Sequence, residues 1–441
     1  MLTLEDLKNG LGQQYYNNAK SLIPGGTQLL SKRPEMFAPG LWPAYYSKAK
    51  GYKVWDLEGL EYLDMSIMGI GACSLGYADE DIDNAVINAI KNGSASTLNC
   101  AEEIELAKEL TRLHPWFDMV RYAKSGGEAV SIAIRIARAY TNKEVVLFSG
   151  YHGWSDWYIA ANLSNKKGLD GQLMPGLSPN GVPRSLSGTA IPFDLNNFDE
   201  VYNLMKKYKG KVAAIILEPA RGNSPPVQIL QKIKDLAAND DAVLIYDEIT
   251  SGFRECTGGI HRSFDAHPDL AVFAKGMGNG YPISAIIGSS SVMESAQSTF
   301  ISSTNWTERV GLVAALSVIK KFESHDVPKH LKLTGKHVKE IWKKAADKNN
   351  LNIKISGLDS LPSFAFLDKD TEYFNSVLCV EMLKRQMLGF RQFKPSFAHD
   401  QLVIQKFEDN INEIFDLLKN RKFNTNDYPE PHSGFHRVVK E

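Results

Sequence analysis

The sequence predicts an α/β fold: a large domain built on a mostly parallel sheet, plus a smaller α+β domain. Three features predict it. Short apolar runs alternate with amphipathic helical patterns through the middle of the 441-residue chain. A segment near the start reads as an antiparallel hairpin. Beyond about residue 317 the pattern changes to long amphipathic helices. Strands that alternate with helices build parallel sheets covered on both faces. A chain of this length can bury a large core without disulfide or metal staples.

The apolar runs lie at 119–123, 145–148, 212–217, 242–246, 270–274 and 283–287. Several are rich in Val and Ile and bounded by Gly, Pro or Asp, as buried strands are. Helical patterns at 128–140 and 230–238 separate them. The hairpin falls within 44–64, where 52–56 and 60–64 flank the turn Leu57-Glu58-Gly59. A last helix is expected near 407–419. Residues 1–64 then form an N-terminal segment of the small domain, 65–317 the large α/β domain, and 318–441 the C-terminal α+β part.

Charge and cysteines narrow the class. Lys and Arg number 50 against 51 Asp and Glu, a formal charge of −1. A nucleic-acid partner would leave a basic excess, so none is expected. Cys73, Cys100, Cys256 and Cys379 are scattered and form no C-x-x-C pair, so neither a zinc site nor a disulfide framework is expected. The start, Met1-Leu2-Thr3-Leu4-Glu5-Asp6, has no basic and apolar regions of a signal peptide. No apolar run reaches bilayer length, so no membrane partner is expected and the location expected is cytoplasmic.

Three polar residues stand where apolar strands end: Glu218 after 213–217, Asp247 after 243–246, and Lys275 after 271–274. In an open parallel sheet the strand C-termini share one edge, where ligands bind. Partial burial disfavours an ammonium, and the amine so released can form a Schiff base with an aldehyde. Gly276-Met277-Gly278-Asn279-Gly280 lets the backbone pass close to a bulky ligand. A buried carboxylate such as Asp247 can hold a proton on a heterocyclic nitrogen, which is what pyridoxal phosphate requires.

An anion cradle follows the strand at 119–123. Lys124-Ser125-Gly126-Gly127-Glu128 opens a helix whose buried face carries Val130, Ala133, Ile134 and Ala137. Its first N–H groups and positive dipole end suit a phosphate. An ordinary Ser N-cap is an equally good account of Ser125. Ser149-Gly150-Tyr151-His152-Gly153 ends the next strand. Its aromatics either stack on a flat ring or simply pack.

Together these residues resemble the class III aminotransferases of fold type I, pyridoxal-phosphate enzymes, over most of the chain. The matching pieces run in family order: Leu22-Ile23-Pro24-Gly25-Gly26, Asp56-Leu57-Glu58-Gly59, Ser125-Gly126-Gly127-Glu128-Ala129, Tyr151-His152-Gly153, Glu218-Pro219, Asp247-Glu248-Ile249, and Lys275-Gly276-Met277-Gly278. The branch most similar is that of glutamate-1-semialdehyde aminomutase and its transaminase relatives. The resemblance implies that Lys275 carries pyridoxal 5'-phosphate and shuttles a proton, and that Asp247 pairs with the ring nitrogen. It places Ile249 on one ring face and Tyr151 on the other, with His152 among the cofactor contacts. Ser125, Gly126 and Gly127 would take the phosphate, and Glu218 and Glu248 would line the ring's edge. Thr304 would reach the phosphate of a neighbouring subunit, which implies a homodimer with shared active sites.

Some positions depart from the family. Gly127 replaces a residue that is usually hydroxyl-bearing or Ala. After Thr304 the usual Gly-Asn-Pro type turn is replaced by Asn305-Trp306-Thr307-Glu308-Arg309. By count, Lys32 takes the place of the aminomutase's substrate arginine, with Arg33 adjacent. The blocks at 31–37 and 306–308 look more like transaminases that aminate cell-surface sugars, including one acting on an octulosonate. Lys32, Arg33, Trp306 and Glu308 are therefore the expected substrate contacts. The expected activity is transfer of an amine, from glutamate, to the carbonyl of a polar acceptor. An aminomutase is the alternative within the family, and an inactive binding module the alternative outside it. A nucleotide-binding protein is disfavoured, because G-x-G-x-x-G and Walker patterns are missing. His432 and His436 have ligand spacing, but Pro and Gly beside them break any helix, so no metal is expected.

Overall fold

A computed structural model of the chain describes residues 1–8, 10–172, 175–220, 222, 226–367, 371–420 and 427–429. His432 and His436 lie outside the described residues. The chain forms two compact units, Met1–Asp79 with Lys329–Glu441, and Glu80–Pro328. The sequence reading divided it after 64 and 317. Tyr77 bonds back to Gly51 through both backbone groups, which keeps it in the first unit. The helix Arg309–His325 packs on the helices Glu80–Lys91 and Glu102–Leu113, inside the second unit.

In the first unit the helices Leu4–Lys8 and Leu11–Leu22 precede a meander, β1 (Lys48–Lys50), β2 (Lys53–Trp55) and β3 (Glu61–Met65), all antiparallel. The expected hairpin is its second half. Asp56 sets the turn: its carboxylate accepts from the backbone N–H of Glu58 and Leu60 at 3.0 and 2.8 Å. Gly59 takes φ 84°, where a side chain is costly.

The second unit is a seven-stranded sheet: β4 (Met119–Ala123), β5 (Val145–Ser149), β6 (Ala190–Pro192), β7 (Val212–Leu217), β8 (Val243–Asp247), β9 (Leu270–Phe273) and β10 (Ser284–Gly288). The spatial order is β4-β10-β9-β8-β7-β5-β6. Strands β5 to β9 pair in parallel, and β10 runs antiparallel to both of its neighbours. Strand β6 was not foreseen. It has three residues, too few to show a period, and its Pro192 is tolerated at a sheet edge.

Both sheet faces are buried. Val146, Phe148, Ile216 and Ile245 pack against the helix Gly126–Thr141. Leu147, Ile215, Leu244 and Tyr246 pack under the helices Phe198–Lys207 and Val227–Ala238. Every residue of β7 is buried. Each such Ile or Leu side chain adds about 1.5–3 kcal/mol over an exposed one.

The chain then returns to the first unit with the hairpin β11 (Ile353–Ser356) and β12 (Ser363–Phe366). Strand β13 (Met387–Gly389) joins β3 in parallel. The last helix, Gln401–Lys419, starts earlier than expected because Asp400 caps it, accepting from Val403 N–H at 3.0 Å.

Each unit buries an uncharged histidine. His114 donates from Nδ1 to the Leu110 carbonyl at 2.8 Å and stacks on His261 at 5.1 Å. Burial, reinforced by His261, pushes His114 down to about 3. His399 donates from Nε2 to the Asp64 carbonyl, so its Nδ1 accepts from the Ser396 N–H and hydroxyl at 3.0 and 2.8 Å. Burial holds it below the ordinary imidazole value. Both folded values lie below the unfolded value near 6.5, so as pH falls the unfolded chain takes up protons first. The stability these rings give is complete above about pH 6.5 and falls by up to ~1.4 kcal/mol per pH unit per ring below it. His114→Gln is therefore expected to lose urea resistance less steeply than wild type between about pH 6 and 4. Parallel losses in the two proteins would show that His114 does not stay neutral.

Candidate active site

The C-terminal ends of β4, β5, β7, β8 and β9 lie along one edge of the sheet, and the candidate residues of the second unit gather there. Asp247 ends β8 and is 2% exposed. Successive strand residues alternate faces, so Asp247 shares the face of Val243 and Ile245. Its Oδ1 accepts the N–H of Ile249 at 3.0 Å, which folds the next residues into a tight turn. Its Oδ2 lies 2.8 Å from Nδ1 of His152.

His152 is itself 1% exposed, and its Nε2 lies 3.1 Å from the Ser149 carbonyl. A carbonyl only accepts, so Nε2 carries a hydrogen. The other contact sets Nδ1 against a carboxylate oxygen and needs a proton between the two. Both ring nitrogens are thus engaged by protein atoms. His152 is thus placed against Asp247.

Glu248 is placed differently. It faces the opposite way, with Leu244 and Tyr246, and is fully buried. Its carboxylate accepts from Ser251 Oγ at 2.5 Å and from the N–H and Nδ1 of His261 at 2.9 and 2.7 Å. Burial alone would raise its pKa, but the bonds from His261 and Ser251 outweigh it and hold the carboxyl below its usual range. Glu248 therefore anchors the loop after β8, from the sheet face opposite Asp247.

Lys275 opens a short 3-10 turn beyond β9, at φ 46°. That left-handed conformation costs a non-glycine residue about 1–2 kcal/mol. Its half-buried amine donates to Thr250 Oγ1 at 3.0 Å. Thr250 belongs to the turn that Asp247 organises.

At the start of the helix Gly126–Thr141, Ser125 is an N-cap in a reciprocal box. Its Oγ accepts from Glu128 N–H at 3.4 Å, and Glu128 Oε2 accepts from Ser125 N–H at 2.8 Å. This cap leaves the amides of Gly126 and Gly127 as first-turn donors. A Cβ on Gly126 would stand 2.7 Å from Ile249 Cδ1, and one on Gly127 3.1 Å from Trp154 Nε1. Bare backbone is what fits there.

Glu218, just past β7, takes the Tyr151 N–H at 3.0 Å and so props the loop that carries Tyr151. Gly150 at φ 111° gives it room, since a Cβ there would lie 2.6 Å from Glu218 Oε2.

Thr304 is exposed and begins the 3-10 turn Thr304–Thr307. Trp306 Nε1 donates to Glu128 Oε1 at 3.4 Å. Glu308 pairs with Lys124 Nζ at 2.7 Å and caps the helix Arg309–His325 through the Val310 N–H. Lys124 and Thr250 had drawn no role from the sequence. The only signals were a lysine ahead of Ser-Gly-Gly and a hydroxyl three residues after Asp247. Lys32 and Arg33 lie in the other unit. Lys32 is exposed, whereas Arg33 is 2% exposed with Nη2 3.5 Å from Met36 Sδ. Among the described residues no group of three ligating side chains could hold a metal, and no helix is long and apolar enough to cross a membrane.

The second unit thus offers an amine, a buried carboxylate and a helix start. The family model for aminotransferase class-III matches residues 38–397. The chain belongs to the class III aminotransferases. Its cofactor is pyridoxal phosphate, and these three groups match that molecule's aldehyde, ring nitrogen and phosphate. The aminotransferase is 32% identical over 390 residues to the 3-aminobutyryl-CoA aminotransferase of Cloacimonas acidaminovorans, covering 85% of this chain and 90% of that one. It is 29% identical over 438 residues to the glutamate-1-semialdehyde 2,1-aminomutase of Methanocaldococcus jannaschii, covering 94% of this chain and all of that one. Among solved structures, the FumI protein of Sphingopyxis sp. MTA144 superposes with a TM-score of 0.83 at 21% identity, over 94% of this chain and 98% of that one. An omega-transaminase from Sphaerobacter thermophilus does so with 0.81 at 23%, over 94% and 99%. These two likenesses establish the fold, type I of the pyridoxal-phosphate enzymes.

Proposed function

We propose that the aminotransferase moves the amine of glutamate to the aldehyde or ketone of a polar, hydroxyl-bearing acceptor, a sugar acid such as an octulosonate. The observation that carries the chemistry is the placing of Lys275 and Asp247 at adjacent strand ends, β9 and β8, on one sheet edge. Pyridoxal phosphate, when bound, supplies an aldehyde that condenses with amines and a ring that accepts an electron pair from the substrate carbon. Lys275 holds the cofactor covalently and carries the proton between substrate positions. Asp247, backed by His152, holds a proton on the ring nitrogen through a charge-assisted bond. The amides of Gly126 and Gly127 and the helix dipole hold the phosphate, with Ser125 fixing the helix start. Ile249 and Tyr151 flank the ring, and Glu218 keeps Tyr151 in place. The partner subunit's Thr304 adds a hydroxyl to the phosphate, which requires a homodimer; sedimentation as a monomer would exclude it.

The sugar-acid reading rests on the blocks at 31–37 and 306–308. Polar groups placed for substrate hydroxyls discriminate strongly, because an analogue without them leaves the groups unpaired. The second reading is an aminomutase, favoured by similarity to aminomutases along nearly the whole chain. Glutamate alone is expected to bleach the visible absorption of the bound cofactor and release 2-oxoglutarate in equal amount. A keto- or aldehyde-sugar acid should then restore the colour, with parallel-line kinetics. No change with glutamate, together with fast isomerisation of glutamate-1-semialdehyde without any donor, would decide for the aminomutase.

A further inference from the structure

We infer that Thr250 is a catalytic residue of this enzyme, holding the amine of Lys275 in register for capture of the cofactor and for proton transfer. The inference rests on the proposed role of Lys275. Three observations carry it. Lys275 Nζ donates to Thr250 Oγ1 at 3.0 Å, a good hydrogen-bond length. Lys275 starts from a left-handed backbone directly after the strand end, which sets where its Cα–Cβ bond points. Thr250 is fixed in turn, because Asp247 Oδ1 holds the N–H of Ile249 at 3.0 Å and sets the path of the next residue. One short turn therefore positions both the carboxylate proposed for the ring and the oxygen that steers the lysine.

The direction of the bond matters. When the side chain is deprotonated and donates an N–H to Thr250, its lone pair stays available as the nucleophile towards an aldehyde and the base towards a C–H. Fixing one N–H also stops rotation about the Cε–Nζ bond, which removes part of the orientation cost of each encounter. In the proton transfer, the C–H proton of the substrate's amine-bearing carbon passes to this lone pair, and the C–H electron pair stays on the substrate side. The ammonium so formed donates more strongly to Thr250 than the amine does. It then gives up the same proton on the product side, so lysine and threonine end as they began.

The test uses Thr250→Val, which keeps the shape and removes the oxygen, and Thr250→Ser, which keeps the oxygen and serves if the valine variant folds poorly. Cofactor-free protein is mixed with pyridoxal phosphate, and the rate of covalent capture is read from absorbance. Steady-state constants are measured with an amine donor carrying hydrogen or deuterium on the amine-bearing carbon. Loss of one hydrogen bond corresponds to up to about tenfold. In Thr250→Val, capture and kcat should each fall by about that factor, with KM little changed and the isotope effect raised; Thr250→Ser should stay near wild type. Wild-type capture and kcat in Thr250→Val, or equal impairment of the two variants, overturns the role. Peptide mapping after borohydride reduction separates the two levels. Normal kinetics with the label on Lys275 overturn only Thr250, whereas a label on another lysine removes the reading of Lys275 and this inference with it.

Discussion

Lys275→Ala is expected to leave a folded protein that binds pyridoxal phosphate without a covalent bond and turns over at least ~10⁴-fold more slowly. A positioned acid–base group alone contributes about 10²–10⁴. The same amine is also the proposed covalent anchor of the cofactor, so the losses should combine. In free-energy terms ~10⁴ is about 5.5 kcal/mol of barrier. The fold should survive, because the side chain is half-buried and belongs to neither apolar core of the unit. A glycine control sharpens the reading. Lys275→Gly should be as inactive, yet more heat-resistant than the alanine variant, since glycine takes φ 46° without the left-handed penalty of about 1 kcal/mol. Borohydride reduction of wild type followed by peptide mapping should put the phosphopyridoxyl group on Lys275. Residual turnover within tenfold of wild type in the alanine variant would refute the assignment.

Asp247→Asn should cost on the order of 3 kcal/mol of transition-state stabilisation, the range for a preorganised electrostatic group. The substitution is nearly isosteric, and the amide oxygen can still accept the Ile249 N–H, so the turn that carries Thr250 should persist. What disappears is the charge, both towards the cofactor ring and towards His152, whose Nδ1 would then face a neutral group. The expected result is full cofactor content, an altered spectrum of the bound cofactor, and kcat reduced by two or more orders of magnitude. Near-normal turnover would contradict the proton-holding role.

The large domain was legible because its strands are buried on both faces, and such strands advertise themselves as continuous Val and Ile runs. Direction was not legible: β10 has the composition of its parallel neighbours and differs only in where the chain enters it. The candidate site was legible where apolar strands end in a polar residue, as at Asp247 and Lys275. It read less well one residue further on. Glu248 follows Asp247 in sequence but lies on the other face of the sheet, bound to a histidine thirteen positions away. His152 took its place from a contact across the sheet to Asp247, which no local pattern reveals. Thr250 was invisible because a single hydroxyl in a turn carries no periodicity.

The threading of the chain has a consequence for biosynthesis. The unit Glu80–Pro328 is continuous and can close its own sheet once β10 pairs with β4. The other unit is split, and β3 must wait for β13, which the ribosome delivers much later. At about 5–20 residues per second the wait lasts tens of seconds. During that time β3 presents Tyr62, Leu63 and Met65, buried in the finished protein, on an open strand edge. An unpaired edge of this kind is a template for wrong pairing. The nascent chain therefore matures from the inside outwards, with the inserted unit formed first and both ends of the chain meeting last. A chain released before residue 387 keeps every strand that positions Lys275 and Asp247, yet carries an uncovered edge that favours aggregation.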